Sequence, residues 1–248
     1  MKLSEIFSQL TYGELSQLNL GGAESGEISV ANYPKVLAHI NLGLTALYKR
    51  FPLKEGRLTV QLQPGRVTYP LTTAYAVSNR RSREVVRYLL DTVDEPFESD
   101  ILKIEAVYTD AEWEMALNDA SDALSCTTPS MSTLRVPALV VAKSADLASQ
   151  YITDTLTVVY RANHPAIVLS IGLFDPTRVE VELPYSHLEP LLFYVASRVN
   201  NPIGMTNEFH AGNSYYSKYE ASCAALEQTN IKVDQGSQNT RLVSNGWV

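Results

Sequence analysis

Four carboxylates that lie close together in the chain are the first candidates for acid–base chemistry. They are Glu105, Asp110, Glu112 and Glu114. A glycosidase pair needs two carboxyl groups about 5–10 Å apart in a cleft. These four flank the end of a predicted strand and alternate around Trp113 and Met115, which is typical of a solvated passage from strand to loop. The pattern therefore favours a surface role over catalysis.

Neither a metal site nor a cofactor site is indicated by motif. The histidines are His39, His164, His187 and His210, and none belongs to an HExxH or His-x-His pattern. Cys126 and Cys223 lie far apart, which predicts free thiols in a reducing compartment. The glycines at 21, 22 and 26 have no phosphate-loop spacing, and no Gly-x-Ser-x-Gly elbow is present. We expect no cofactor and no enzyme, although an enzyme with a composite site stays open because catalytic groups can converge from distant loops.

The charge balance argues against a dedicated nucleic-acid binder. The 248 residues carry a formal net charge of −7, whereas such proteins normally present a basic face. The one basic cluster, Arg80, Arg81, Arg83 and Arg87, adjoins Glu84 and Asp91 and is interpreted as a solvated helix face or an interface. No apolar run approaches a membrane span, and no signal peptide is recognised at the first residues.

Periodicity predicts helices toward both ends of the chain. A short helix is expected over residues 3–10, and a stronger one at about 31–51 has Pro34 near its first turn. Its apolar stripe is Val36, Ile40, Leu44, Leu47 and Phe51. A further stripe, beginning at Leu188 and ending at Val199, opens a helical region at about 186–229. A short helix is also expected over residues 82–90.

Alternation predicts strands through the middle of the chain. Residues 58–62 and 67–71 flank a Pro64-Gly65 turn and are expected to form a hairpin. Further strands are expected at 102–108, 136–141, 156–160, 166–171 and 179–183. Strands that follow one another without helices between them pair mostly antiparallel.

The expected fold class is α+β, a helical bundle from the N- and C-terminal helices with an antiparallel β insert and an extended C-terminal tail. A single domain is expected over residues 1–230, with the β-rich insert at about 57–183. Residues 231–248 are polar and poor in apolar side chains, so they are expected to form an extended arm that orders only on assembly.

Three tyrosines crowd the start of the last predicted helix. Tyr215 and Tyr219 share a face at i,i+4 spacing, and Tyr216 lies beside them. Such a face either docks on the core or forms a subunit interface, where tyrosine is enriched. The sequence leaves both interpretations open.

Several segments, in order, resemble the head-to-tail adaptor (connector) proteins of tailed bacteriophages, particularly of the short-tailed kind. The segments are residues 42–51 (LGLTALYKRF), 67–71 (VTYPL), 116–119 (ALND), 156–165 (LTVVYRANHP), 181–184 with 191–199, and 212–220 (GNSYYSKYE). The resemblance spans roughly residues 31–229 and rests on their order and spacing together.

This resemblance implies a structural virion protein of the neck and tail that assembles in the host cytoplasm. Such adaptors form rings of twelve copies under the portal protein, support the tail tube or nozzle, and let genomic DNA pass without specific binding. It further implies that the C-terminal arm reaches a neighbour through Arg241, Leu242 and Trp247, since Trp and Arg are favoured interface residues. The alternatives are another tail or neck subunit, such as a terminator or nozzle protein, or a virion-associated hydrolase.

Overall fold

The computed structural model describes residues 1–15, 28–144, 147–169, 174–200 and 207–230. Over these residues the protein is α+β, with five α-helices and two antiparallel sheets. The helices are α1 (Leu3–Tyr12), α2 (Tyr33–Arg50), α3 (Ala138–Val141), α4 (Leu188–Val199) and α5 (Asn207–Asn230). The strands are β1 (Glu55–Gln61), β2 (Thr68–Pro70), β3 (Leu89–Leu90), β4 (Ile101–Thr109), β5 (Glu114–Met115), β6 (Thr127–Ser130), β7 (Thr133–Arg135) and β8 (Thr155–Ala162).

The chain divides into two compact units. Unit 1 comprises Met1–Leu44 and Ala166–Val248, and unit 2 comprises Thr45–Pro165. The boundary between them falls within α2. A single domain over residues 1–230 with an arm over 231–248 stays a prediction.

Unit 1 is helical and has α4 at its centre, packed against α1 and α5. Gly43 of α2 lies so close to α4 that a Cβ atom on it would be 2.7 Å from Cδ1 of Leu191. The extended residues that precede α4 pair with the start of the chain, where the Leu3 amide donates to the Val179 carbonyl at 3.0 Å. The alternation predicted for residues 179–183 is present in the burial of their side chains. The segment pairs with the start of the chain through a single bridge, between Lys2 and Glu180.

Unit 2 is built around β8, the central strand of a five-stranded sheet with the order β3-β1-β8-β4-β5. Alternate residues of β8 are buried, and Val158 lies opposite Leu58 of β1 and Val107 of β4. A second sheet has the order β2-β7-β6, in which the fully buried Tyr69 and Leu134 lie opposite each other. The two sheets share one hydrophobic core.

Arg161 of β8 fixes the end of α2. Its Nη1 donates to the carbonyls of Lys49 and Arg50, at 2.9 and 3.3 Å, and its Nη2 lies 2.8 Å from Oε1 of Glu105. A cation at a helix C-terminus satisfies the last carbonyls and complements the helix dipole. The exposed fraction of the Arg161 side chain is only 15%.

The predicted architecture, a helical bundle with a β insert, is wrong. The strand-rich middle is a unit with its own five-stranded sheet and its own core, because buried side chains from β1, β4 and β8 pack with one another and with the smaller sheet. The helices predicted at residues 3–10 and near 31–51 are confirmed as α1 and α2. The helical region after residue 186 is confirmed as α4 and α5.

Three local predictions are also wrong, and a fourth is wrong over the part of it that the structure describes. The expected hairpin does not form, because β1 pairs with β3 and β8 while β2 pairs with β7. The helix expected at 82–90 is a loop followed by β3, and its Val85 and Val86 are exposed rather than buried. The strand expected at 136–141 contains α3 instead, since a short apolar run does not distinguish helix from strand. Of the strand expected at 166–171, residues 166–169 form no strand and the last two lie outside the described residues.

Candidate functional site

Two of the four candidate carboxylates line an open hollow on unit 2. The hollow has a volume of about 590 Å³ and also includes Glu55, Arg57 and Tyr108. Asp110, Glu112 and Glu55 are exposed, whereas a catalytic acid is usually activated by burial. The hollow therefore offers an acidic, solvated surface.

The other two candidate carboxylates lie outside the residues that line this hollow. Glu105 is an ion-pair partner of Arg161 and also lies 2.7 Å from Nζ of Lys103. Glu114 is exposed on β5. Both residues therefore belong to strands of the five-stranded sheet, Glu105 to β4 and Glu114 to β5.

The histidines are dispersed among separate elements. His39 lies on α2, and burial, with the nearby charges of Arg198 and Lys35, lowers its pKa. His187 is buried in the turn before α4, where burial also lowers its pKa. His164 is buried beside the ring of Tyr48, and the side chain of His210 lies outside the described residues. In the described part of the chain, no three His, Cys, Asp or Glu side chains form a group that could hold a metal ion.

Both cysteines are buried, and neither forms a disulfide. Burial raises the pKa of the Cys126 thiol to about 12. A thiol in such surroundings is inert as a nucleophile, because the thiolate is the reactive form.

The three tyrosines of α5 have different surroundings. Tyr219 is buried, with its ring in an edge-on contact with Tyr194 at a centroid distance of 5.3 Å. Tyr215 is half-buried, and its hydroxyl donates to the Glu14 carbonyl at 3.2 Å. Burial, with the charge of Glu14, raises the pKa of Tyr215. These two residues therefore attach α5 to α4 and to the residues that follow α1.

Tyr216 is the exposed member of the three, with 49% of its surface accessible. Tyr216 also has its ring 5.7 Å, between centroids, from that of Tyr219. Its role at an interface stays a prediction. Arg241, Leu242 and Trp247, the other predicted interface residues, lie outside the described residues.

The arginine cluster lies on a loop, which we call the basic loop (residues 78–87), between Val77 and β3. Arg80, Arg81 and Arg83 are exposed and make no ion pair with another described residue. Val85 follows them with 97% of its surface accessible. The loop combines cationic and apolar side chains on one exposed segment.

A second charged segment, which we call the acidic loop (residues 92–100), follows β3. Asp94, Glu95 and Glu98 are exposed and have no ion-pair partner within the described ranges. Val93 among them is 70% accessible. This loop was not predicted from the sequence, although five carboxylates in the ten residues from Asp91 to Asp100 mark it.

Asp91 anchors both loops. Its carboxylate accepts hydrogen bonds from the amide of Ser78, at 2.8 Å, from the Ser78 hydroxyl, and from the amide of Phe97, at 2.9 Å. Burial acts to raise the pKa of Asp91, but these hydrogen bonds outweigh burial and hold the pKa below its usual range. One half-buried carboxylate therefore fixes the start of the basic loop to the middle of the acidic loop.

None of the helices in the described ranges has the length and hydropathy needed to cross a bilayer. No protein-family model matches the sequence, and no curated protein matches it.

Proposed function

We propose that this protein is a structural subunit of a tailed-bacteriophage virion, a head-to-tail adaptor that forms a ring between the portal protein and the tail. In this role the subunits, twelve in the family it resembles, continue the channel through which genomic DNA passes. The protein is an assembly component rather than an enzyme. The proposal places it in the neck of the particle.

One observation carries the interaction role. Five exposed aliphatic side chains fall within 17 residues of unit 2, namely Val77, Val85, Val86, Leu90 and Val93. Single exposed apolar residues are ordinary, but a concentration of them among charges is a feature of interaction surfaces. Arginine and apolar groups together suit the core and rim of a subunit contact.

The resemblance to adaptor proteins supports assembly into a ring. Its segments fall on the end of α2, on β2, directly after β5, on β8, on α4 and in the first part of α5. A cyclic ring uses heterologous contacts, so each subunit needs two different complementary surfaces. Exposed charged loops and the exposed Tyr216 of α5 are candidates for such surfaces.

Co-expression with a portal protein from the same virus tests the proposal. We expect the protein to co-purify with the portal ring, and electron microscopy to show it as a ring at the tail-side end of the portal. A protein found elsewhere in the particle, such as at the tail tip, would favour the terminator or nozzle alternative. A protein that never joins a portal–tail complex would contradict the proposal.

The arm has its own test. We propose that residues 231–248 contact a neighbouring subunit or the portal protein. Deletion of these residues should leave the fold of the remaining chain unchanged, as measured by circular dichroism, while the yield of portal-bound protein falls. Unchanged portal binding after the deletion would remove the arm from the proposal.

A further inference from the structure

We propose that the basic loop of one subunit binds the acidic loop of a second copy of this chain. The inference rests on the proposed function, because it names the contact between neighbours in the ring. It identifies the partner by complementary charge and by exposed apolar side chains on both loops.

The basic loop has its charge available for a partner. Residues 80–87 carry four arginines and one glutamate, and Arg80, Arg81 and Arg83 point their charge into solvent with no ion pair in the described part of the chain. The exception is Arg87, whose guanidinium donates to the Ser82 carbonyl at 3.3 Å. Three cations are thus left for an external anion.

The acidic loop matches this number and kind of group. Asp91 and Asp100 are occupied within the fold, the second as acceptor from the Tyr160 hydroxyl at 3.1 Å. The remaining three carboxylates, Asp94, Glu95 and Glu98, are exposed. The acidic loop therefore has three unpaired carboxylates, the same number as the unpaired arginines of the basic loop.

Both loops are held in place before any partner binds. The Asn79 amide group donates to the Thr73 carbonyl at 2.9 Å, and the Glu84 backbone amide donates to the Ser82 hydroxyl at 3.1 Å. In the acidic loop the Glu95 amide donates to the Thr92 hydroxyl at 3.0 Å. A preorganised loop loses less conformational entropy on binding than a loose one.

The apolar residues favour a protein partner over a nucleic-acid backbone. Val85 and Val93 are 97% and 70% accessible, and each lies beside the charges of its own loop. A phosphate backbone offers such side chains no apolar surface, whereas a second copy offers a valine on the opposing loop. The net charge of −7 also repels a polyanion.

Disulfide cross-linking between two single-cysteine variants tests the contact. Val85→Cys and Val93→Cys are purified separately as full chains, mixed at low salt under mild oxidation, and resolved on a non-reducing gel. The two native cysteines are buried and do not compete. We expect a heterodisulfide between Cys at 85 and Cys at 93 well above both homodisulfides.

Val168→Cys is the matched control, because Val168 is 73% accessible, close to the exposure of Val93. Mixing Val85→Cys with Val168→Cys should give only background cross-linking. The heterodisulfide with Val93→Cys should also decline as salt is added, because the screening length falls from about 10 Å at about 0.1 M to about 3 Å at about 1 M. Equal yields with both partners would overturn the proposal.

Charge reversal gives a second readout. The triple change R80E/R81E/R83E in the Val85→Cys chain should abolish the cross-link, and D94R/E95R/E98R in the Val93→Cys chain should restore it. Restoration requires that both variant chains are folded, so it excludes misfolding as the cause of the loss. Failure of the second triple change to restore the cross-link would contradict the pairing.

Other outcomes separate the alternatives. Binding of a fluorescent DNA duplex that is lost in R80E/R81E/R83E, without the heterodisulfide, would assign the basic loop to nucleic acid and overturn the inference. A heterodisulfide in a protein that never joins a portal–tail complex supports the inference and removes only the adaptor proposal. Portal incorporation without the heterodisulfide removes only the inference.

Discussion

Gly56 is the residue of β1 whose missing side chain shapes the sheet. The ring of Tyr160 on the neighbouring strand occupies the space where a Cβ atom would lie, and the distance to its Cζ would be 2.3 Å. Gly56 and Tyr160 are direct partners in the antiparallel register. A bulky ring is therefore accommodated in the core because its partner has no side chain.

Replacement of Gly56 by alanine should destabilise the protein by about 1–3 kcal/mol, the usual cost of forcing an extra carbon into a packed core. Urea denaturation of the wild type and the variant measures this difference. In the background of Tyr160→Ala, where the ring is gone, the same change should cost little. An equal cost in both backgrounds would show that the ring is not the cause.

Asp91 is the titratable residue whose loss should affect both charged loops. Its pKa is lowered in the fold, so its hydrogen bonds stabilise the native state above the pKa of the unfolded chain and are lost as pH falls through the native pKa. Asp91→Asn should reduce the free energy of unfolding by about 2 kcal/mol at neutral pH, a typical value for hydrogen bonds to a charged acceptor.

Denaturation of Asp91→Asn at several pH values tests whether the stabilisation depends on the charged form of the Asp91 carboxylate. The difference from wild type should shrink as pH falls from about 4, the pKa of aspartate in the unfolded chain, through the lower native pKa of Asp91. Asp94→Asn is the matched control, because Asp94 is exposed and should change stability little at any pH. A difference that is independent of pH would argue against the charged form as the source of the effect.

Among the elements, α5 shows that neighbouring residues of one aromatic cluster can have different surroundings. Tyr219 faces α4 and Tyr216 faces solvent, although both belong to the same aromatic cluster. Tyr219→Ala should lower the free energy of unfolding by about 3 kcal/mol or more, as for other large buried aromatics. Tyr216→Ala should change stability by less than about 0.5 kcal/mol, which thermal denaturation can distinguish.

Elements with long, regular periods were predicted well, and short ones were not. The stripe from Val36 to Phe51 fixes one face of a helix over several turns, and α2 follows it. The predicted hairpin failed because the partners of β1 and β2 come from distant parts of the sequence, and local alternation cannot identify a partner strand.

The charged loops were predictable in composition but not in conformation. Val85, Val86 and Leu89 fall on one side of a notional helix, but Ser82 binds the Ala74 carbonyl and Leu89 pairs with β1. These nonlocal contacts outweigh a weak helical preference. The position of Asp91 between the two loops required the folded structure, because its three donors come from Ser78 and Phe97.

At the scale of the whole molecule, the excess of acidic residues should keep the protein from holding DNA. The net charge is −7, and affinity for duplex DNA depends on neutralising phosphates with cations. We expect no binding of a fluorescent duplex at physiological salt, as measured by anisotropy. Tight binding there, weakening steeply with added salt, would contradict both this prediction and a channel through which DNA slides.

The central position of β8 also has a consequence for how the chain is made. Leu58 of β1 pairs with Val158 of β8, about a hundred residues later along the chain, so the five-stranded sheet has a high contact order. Until β8 leaves the ribosome, β1 and β4 each lack the neighbour that covers one edge, and open strand edges invite aggregation. Nascent chains that stop before residue 155 should therefore depend on chaperones, whereas chains that include residue 162 can close the sheet.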